Sequence, residues 1–318
     1  MEITPEIIQR LKLLNDKYSS SGQDLASYLD GLLYEDYVKY WDYIELDTLL
    51  SLQKPRTNFP DEEVFIVYHQ ITELYFKLVR NEFQNIFDCK TLTGDFFLNR
   101  LKRCNRYFDA LVQSFEIMVD GMDNKEFMKF RMALLPASGF QSAQYRKIEI
   151  GSTDIENLVT LDKRAALKGS KDLDELYANI YWKQGAQDNE TGKKTLTLIQ
   201  FEDRYDAELI ELANKAKKSN LWNVYSNLPK EDKEREDIKE MMKAYDLNVN
   251  VNWPLAHYKS AVRYLQTKAG DVGATGGTNW QKYLPPRFQK RIFFLEFWSE
   301  DEVENWGRGW VESHIITK

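Results

Sequence analysis

The chain has 318 residues, 43% hydrophobic and 14% aromatic, which is enough apolar material for a large core and too much for a disordered protein. Its formal net charge of −7 excludes the basic footprint of a nucleic-acid or anionic-lipid binder. With only 15 glycines and 8 prolines, the composition disfavours a turn-rich β-sandwich or barrel and favours long helices. We expect one helical domain over residues 1–318.

The first residues, the apolar runs and the cysteines of the chain indicate the cellular compartment to expect for it. The first ten residues, MEITPEIIQR, lack the basic and apolar regions of a secretory signal. No apolar run approaches the roughly 20 residues that span a bilayer. We therefore expect a soluble, cytoplasmic protein with neither a membrane nor a nucleic-acid partner. Cys89 and Cys104 are expected to be buried thiols rather than a disulfide or a metal pair.

Helical patterns follow one another along the first half of the chain. Thr4 and Pro5 predict a helix start, and apolar residues follow at helical spacing up to residue 18. Residues 62–87 are apolar on every side without glycine or proline, which predicts a helix in the centre of the fold. After Gly94, apolar residues recur at alternating spacings of four and three, the packing seam of a helical bundle.

The second half continues the helical pattern. PASG at 136–139 predicts a turn, and the segment after it predicts a helix ending near residue 150. Residues 183–194 are polar and predict an exposed loop, whereas 200–217 and 229–245 predict charged amphipathic helices. A further helix is predicted from Trp253 to Lys268, before a glycine-rich stretch at 269–279. The sequence thus predicts an all-α fold of seven or more helices.

Three histidines, His69, His257 and His314, limit the chemistry that needs imidazole. A histidine-rich zinc or di-iron site is not available with so few. His69 lies in the middle of the most apolar helix, and His257 lies one turn after Trp253 on the same helical face. On spacing alone, a structural core histidine is the commoner interpretation of both. A single helical histidine in an apolar wall also suits an axial haem ligand.

Arg131 and the glycine-rich stretch are the other chemical candidates. Arg131 has apolar neighbours on both sides, so we expect its charge to meet a carboxylate, from the protein or from a ligand. Ser138, seven residues later, is placed to face the same space. The stretch 269–279 is neither a P-loop nor a dinucleotide fingerprint, because the lysine and the βαβ unit are missing. Its glycines suit a loop that approaches a ligand closely.

Four separated blocks of the sequence resemble the tryptophan 2,3-dioxygenase family, in that family's order. They are YWDYIELDTLLSLQ (40–53), VFIVYHQITELYFK (64–77), FRMALLPASGFQSAQYR (130–146), and WPLAH (253–257) with KAG and TGG after it. The third block is long and specific. The resemblance implies an all-α, multi-helix haem-binding bundle of the tryptophan/indoleamine dioxygenase type.

The resemblance also implies roles for individual residues. His257 matches the axial ligand of haem b iron (Fe2+), and His69 matches the distal histidine that contacts the indole N–H during catalysis. Arg131 matches the arginine that clamps the substrate carboxylate. The remaining matches line the substrate pocket, and they are Phe65, which packs on the indole, with Phe127, Leu134 and Ser138.

The N-terminal segment, about residues 1–60, is implied to reach a neighbouring subunit. Tyr40 and Tyr43 match residues that one subunit of the family lends to the pocket of the next, and family members are usually homotetramers. Two departures from the pattern occur elsewhere. Asp271 or Thr275 occupies the place of the threonine that contacts the substrate ammonium, and the TGG triplet favours Thr275 after a four-residue insertion. Tyr75 replaces a tryptophan.

The implied reaction is that of L-tryptophan with O2, which cleaves the indole C2–C3 bond and gives N-formylkynurenine, the first step of tryptophan breakdown by the kynurenine route. Two alternatives stay open. One is a related haem oxygenase acting on another aromatic amino acid or a modified indole. The other is a non-catalytic helical binding protein. The sequence assigns no role to His314 or to residues 160–250.

Overall fold

The structure, a computed structural model, describes residues 3–35, 39–134, 139–187, 192–267, 270–271 and 284–308. It divides into two compact units, Met1–Lys54 and Pro55–Lys318. Within the described ranges the only strands are β1 (Gln266–Thr267) and β2 (Gly270–Asp271), which form one antiparallel pair. Every longer element is helical. The predicted all-α fold is confirmed.

The first unit consists of short helices that bury none of their described residues. They are α1 (Pro5–Ser19), α2 (Leu25–Leu33), α3 (Tyr40–Tyr43) and α4 (Leu46–Leu50). As predicted, α1 starts at a capping Thr4, whose side chain accepts the backbone N–H of Ile7. Both α1 and α2 expose apolar side chains, among them Leu13, Leu32 and Leu33.

The second unit carries the three longest helices and the core. Its helices are α5 (Asp61–Phe87), α6 (Gly94–Ser114), α7 (Glu116–Asp120), α8 (Asn124–Phe130), α9 (Ala143–Ser152), α10 (Leu161–Leu167), α11 (Leu173–Ala178), α12 (Tyr181–Gly185), α13 (Leu196–Ser219), α14 (Leu221–Ser226), α15 (Lys230–Lys233), α16 (Glu236–Leu247), α17 (Trp253–Leu265), α18 (Pro286–Gln289) and α19 (Glu300–Glu304). Short 3-10 helices lie at Arg131–Leu134, Gly139–Gln141, Ile155–Leu158 and Leu295–Phe297.

Helix α6 packs between α5 and α16, and its apolar seam is in the core. The buried seam residues are Phe97, Leu101, Cys104, Phe108 and Leu111. This confirms the interpretation of the four-and-three spacing as core packing. Neither cysteine forms a disulfide, and Cys104 is buried as predicted while Cys89 is half-buried.

Helix α5 departs from its prediction on one face. Phe76, Val79 and Phe83 are buried against the core, but Ile71, Leu74 and Leu78 are exposed. The expectation of a helix buried all round is therefore wrong for the single chain. Helical periodicity reports how apolar each face is, but not whether the same chain covers it.

A π-helical turn over Asn248–Asn252 joins α16 to α17. The Asp246 carboxylate accepts the side-chain N–H of Asn250 at 2.8 Å and the backbone N–H of Phe293 at 3.0 Å. These bonds support the turn immediately before Trp253. Because a π turn inserts an extra residue into the helical register, it sets the direction in which the α17 side chains point, and such turns often lie at functional sites.

The structure also bears on membrane-spanning helices, on metal-binding groups and on the loop predicted from residue 183. Across the described residues, no helix combines the length and apolar character needed to cross a membrane. The same residues contain no group of three histidine, cysteine or acidic side chains that suits a metal ion. The exposed loop predicted from residue 183 is wrong at its start, because Lys183 is buried and forms ion pairs with Glu202 and Asp206.

Candidate functional site

A cavity of about 470 Å³ lies within the second unit, between α5, α8, α9, α12 and α17. This volume is in the range of ordinary ligand sites in proteins. Most of its described lining is aromatic or apolar, including Phe65, Tyr68, Phe76, Phe115, Phe127, Leu134, Trp253 and Tyr264. The titratable residues of its described lining are His69, His257, Glu73, Arg146 and Arg291 with four tyrosines.

Helix α5 presents His69 to the cavity. Its Nδ1 lies 2.7 Å from the carbonyl oxygen of Phe65, so Nδ1 carries the proton and donates it. The Phe65 ring lies against it, with ring centroids 4.1 Å apart. The His69 side chain is exposed and opens to the cavity, while the protein atoms around the ring still lower its pKa by removing water from it. His69 is therefore neutral, with Nε2 left as a hydrogen-bond acceptor.

Helix α17 presents His257, one turn after Trp253, to the same cavity. Burial, with a smaller contribution from His69, lowers its pKa to about 4, so the ring is neutral at physiological pH. Phe115 lies beside it at 5.6 Å between ring centroids. Gly139 also approaches closely, because a Cβ there would lie 3.2 Å from Cε1 of His257. A neutral imidazole fixed in this way is the form that binds a metal.

The other predicted site residues divide into three groups. Phe127 and Leu134 line the cavity with the histidines, as does Phe65. Arg131 is buried in the adjacent 3-10 helix but is not among the described residues that line the cavity, and burial lowers its pKa. Ser138, Thr275 and His314 lie outside the described residues, as does the side chain of Asp271. Tyr40 and Tyr43 are exposed in the first unit.

A buried polar group that the sequence interpretation missed lines another part of the cavity. This arginine cluster consists of Arg146, Glu149, Tyr181 and Arg291, all buried. Glu149 forms ion pairs with both arginines at 2.7 Å, and the Tyr181 hydroxyl donates to Glu149 at 2.5 Å. Arg146 and Arg291 donate to the oxygen of the same tyrosine at 2.6 and 2.5 Å.

The cluster keeps its charges although it is buried. Burial is the largest single influence on the pKa of Arg146 and lowers it, but Glu149, Tyr181 and Tyr145 together outweigh burial and raise the pKa overall. Burial also raises the pKa of Tyr181, which remains a neutral phenol. Two guanidinium groups therefore face one carboxylate, and the cluster is net positive. One signal for it was present in the sequence, namely the i, i+3 pair of opposite charges that Arg146 and Glu149 form in α9.

Comparisons with known proteins agree with the sequence resemblance. Residues 27–154 match the family model described as tryptophan 2,3-dioxygenase. The chain is 28% identical over 276 residues to a Bacillus cereus tryptophan 2,3-dioxygenase, covering 84% of this chain and 92% of the relative. Over shorter stretches it is 39% identical to tryptophan 2,3-dioxygenase 2 of Ralstonia nicotianae (36% of this chain, 33% of the relative) and 36% identical to the Ruegeria enzyme (43% and 47%).

The helical fold agrees with these matches, which make the chain similar to a class of oxidoreductase enzymes. More closely, it is a relative of the tryptophan 2,3-dioxygenases, as the four sequence blocks predicted. The match to the Bacillus cereus protein extends over most of both chains, so the resemblance is not confined to one motif.

Proposed function

We propose that this chain is a haem b-dependent dioxygenase, which uses O2 to cleave the indole C2–C3 bond of L-tryptophan and gives N-formylkynurenine. One observation carries the proposal. Two neutral histidines, one from α5 and one from α17, face a single aromatic cavity.

The residues around His257 fit a haem group. The imidazole is neutral, the walls are aromatic, and Gly139 leaves no side chain against the ring. His257 would hold the iron, and ferrous haem bound there would supply the chemistry that binds and activates O2. The protein contributes by orienting the substrate and by excluding water from this space.

The substrate interactions follow from the histidine on the other helix. With Nδ1 donating to Phe65, His69 has its Nε2 lone pair available to accept the indole N–H. Phe65 provides a ring for the indole, and Phe127 and Leu134 complete an apolar slot. Arg131 would bind the substrate carboxylate with two parallel donors. Ser138 and Thr275 would complete the contacts to the zwitterion, as the resemblance implies.

We also propose that the enzyme acts as a cytoplasmic homotetramer, in which the first unit lends Tyr40 and Tyr43 to a neighbouring pocket. Exposed apolar side chains on α1, on α2 and on one face of α5 support self-association. Sedimentation velocity of the purified protein tests this, with a tetramer expected. A monodisperse monomer with full activity would exclude a site built from two subunits.

Absorbance spectroscopy of the ferrous protein, with and without L-tryptophan, tests cofactor and substrate together. We expect a Soret band that shifts when L-tryptophan is added, followed under O2 by the absorbance of N-formylkynurenine. A haem protein that leaves L-tryptophan intact but oxidises another aromatic amino acid would support the related oxygenase instead. A protein with no Soret band, in which His257→Ala changes only stability, would be a binding protein.

A further inference from the structure

The buried carboxylate of Asp246, just before the π turn, accepts hydrogen bonds from two parts of the chain. From the turn, the side-chain N–H of Asn250 donates to it at 2.8 Å. From further along the chain, the backbone N–H groups of Phe293 and Phe294 donate at 3.0 and 3.1 Å, and the indole N–H of Trp298 donates at 3.1 Å. Asp246 therefore joins the turn to a segment that lies more than 40 residues later in the sequence.

The Asp246 carboxylate is charged, but none of these four donors is. Burial raises its pKa to about 6, although the N–H groups that bond to it favour the charged form, so it is ionised at neutral pH. A buried charge that is held only by neutral groups costs free energy that a well-packed apolar side chain would not. A bonded polar network of this kind does hold the chain around it in one arrangement. Its main effect is therefore expected on position rather than on stability.

The two parts of the chain that bond to Asp246 lead to different residues of the cavity. The π turn continues into α17, where Trp253 and, one helical turn later, His257 line the cavity. On the other side, Phe293 follows Arg291 by two residues, and Arg291 lines the cavity as a member of the arginine cluster. Asp246 therefore bonds to the chain close to both groups of cavity residues.

The π turn makes the direction of the His257 side chain depend on these bonds. A π turn contains one residue more than an α-helical turn. If it relaxed into a regular α-helix, each residue after it would rotate by about 100° around the helix axis. A second side-chain bond, from Asn248 to Asn105 of α6 at 3.0 Å, also holds the turn. The turn is thus fixed to α6 through Asn248 and to the later segment through Asp246.

We propose that Asp246 is a positioning residue, which fixes the π turn against residues 291–298 and thereby sets the direction in which His257 faces the cavity. The inference rests on the proposed function, in which His257 holds the haem iron. It concerns the residues that orient this side chain and not the ligand itself. Loss of the bonds to Asp246 should move the imidazole relative to Phe115, whose ring centroid lies 5.6 Å from it.

The test follows His257 in the haem-free protein by NMR of isotope-labelled histidine. The chain has only three histidines, so the spectrum is simple, and His257→Leu identifies the signal. Asp246→Asn keeps the size of the side chain but replaces one acceptor oxygen with an N–H donor. Glu82→Gln is the matched control. This buried carboxylate pairs with Arg100 and Arg103 at 3.0 Å and is not among the described residues that line the cavity.

We expect Asp246→Asn to shift the His257 signal, because the imidazole moves relative to the Phe115 ring, and to leave the His69 signal in place. Titration with haem, followed by the Soret band, should then show roughly tenfold weaker binding, at the lower end of the loss that is usual for residues supporting a metal ligand. Glu82→Gln should lower the urea midpoint, since it breaks a buried ion pair, and should change neither the His257 signal nor haem affinity.

Two smaller changes keep the test decisive if Asp246→Asn does not fold. Asn250→Ala removes the bond on the side of the turn, and little else is lost because Oδ1 of Asn250 has no partner among the residues that the structure describes. Trp298→Phe removes one donor on the other side and keeps an aromatic ring against Trp306, 5.0 Å away between centroids. Both should shift the His257 signal, and Asn250→Ala should shift it more because it acts on the turn directly.

Three results would overturn the proposal. An unchanged His257 signal in Asp246→Asn or, should that protein not fold, in Asn250→Ala would mean that the carboxylate does not position the ring. An equal shift in Glu82→Gln would assign the effect to lost stability. A shifted signal with unchanged haem affinity would show that the direction of the ring does not matter to the ligand. Failure of the proposed function is recognised separately, because the unaltered protein would then show no Soret band, while the NMR comparison in the haem-free protein still decides whether Asp246 positions His257.

Discussion

The cavity has two parts that differ in the ionisation state of their side chains, which are neutral in one part and charged in the other. The histidine wall, formed by Phe65, His69, Phe127 and His257, holds ionisable rings that burial keeps neutral. The arginine cluster is more deeply buried than the wall, yet its guanidinium groups stay charged because Glu149 forms ion pairs with both. Burial alone therefore does not decide ionisation. A counterion that is hydrogen-bonded to the charged group does. At the wall, Glu73 favours the charged form of His69 less strongly than burial opposes it, so the imidazole stays neutral.

This difference separates the consequences of mutation. The rings of the histidine wall are not charge partners of any other group in the fold. Removing one of them should therefore reduce function more than it reduces the stability of the fold. Removing a member of the arginine cluster leaves a buried charge without its partner, so stability should fail first. Four substitutions or conditions test that contrast.

The largest expected effect is the loss of haem binding when His257 of the histidine wall is replaced. His257→Ala should abolish stoichiometric haem binding, since it removes the proposed iron ligand itself, whereas changes in the outer shell of a metal site cost roughly 10–100-fold. Titration of the haem-free variant with haem, followed by the Soret band, measures this. Added imidazole should restore part of the band by filling the space that the side chain left.

His69→Ala is the matched control on the opposite helix. It should keep the Soret band and lose tryptophan-dependent spectral change, because His69 is proposed to contact the substrate and not the iron. If both alanine variants bound haem equally well, His257 would not be the ligand and the contrast between the two histidines would be broken.

The second effect is at the arginine cluster. Glu149→Gln removes the only carboxylate that the two guanidinium groups share, and we expect a loss of about 3–5 kcal/mol in the free energy of unfolding, the usual result of breaking a buried ion pair. Urea denaturation of the haem-free protein measures it.

Glu211→Gln provides the comparison, because Glu211 pairs with Lys215 on the exposed surface of α13. It should leave the urea midpoint where it is. A Glu149→Gln protein as stable as the unaltered chain would mean that the cluster does not hold its charges by mutual pairing.

Helices α5 and α6 show how far sequence patterns carry. The α6 seam was predicted residue by residue, because a stripe at four-and-three spacing must face a partner helix. For α5 the same reasoning failed on the face of Ile71, Leu74 and Leu78, which the chain leaves exposed. Local periodicity records apolar character but not the identity of the covering surface.

The same limit of sequence patterns applies to site residues that lie far apart in the sequence. His69, His257 and Phe127 were predicted from motif resemblance, and the fold brings them to one cavity. The arginine cluster was not predicted, because Tyr181 and Arg291 lie 35 and 145 residues beyond Arg146 and share no local pattern with it. Only the pair Arg146 and Glu149, one turn apart in α9, was visible in the sequence.

The third effect concerns pH in the haem-free protein. The folded chain lowers the pKa of His257 from 6.5 to about 4, so between these values the unfolded chain binds the additional proton. Stability should therefore be complete above pH 6.5 and should decline as the pH falls towards 4, by up to about 3 kcal/mol from this residue. Urea midpoints measured across that range test it.

His257→Leu is the control for the pH series. It keeps an apolar side chain at the position and removes the titration, so its stability should depend less on pH over the same interval. Parallel curves for the two proteins would show that His257 is as accessible to protons in the fold as in the unfolded chain, and the neutral wall would lose its main support.

The smallest effect tests the close approach of Gly139 to the wall. In Gly139→Ala the new Cβ would lie 3.2 Å from Cε1 of His257, so the ring must move by a fraction of an ångström. Because a misplacement of about 1 Å costs roughly 100-fold in rate, we expect a shifted Soret band and a loss in turnover well below that figure.

Gly31→Ala in α2 meets nothing within 4 Å and should leave the spectrum unchanged while raising stability by about 0.5–1 kcal/mol. An unshifted Soret band in Gly139→Ala would mean that His257 is held by Phe115 and Trp253 alone, and that the glycine is not part of the wall.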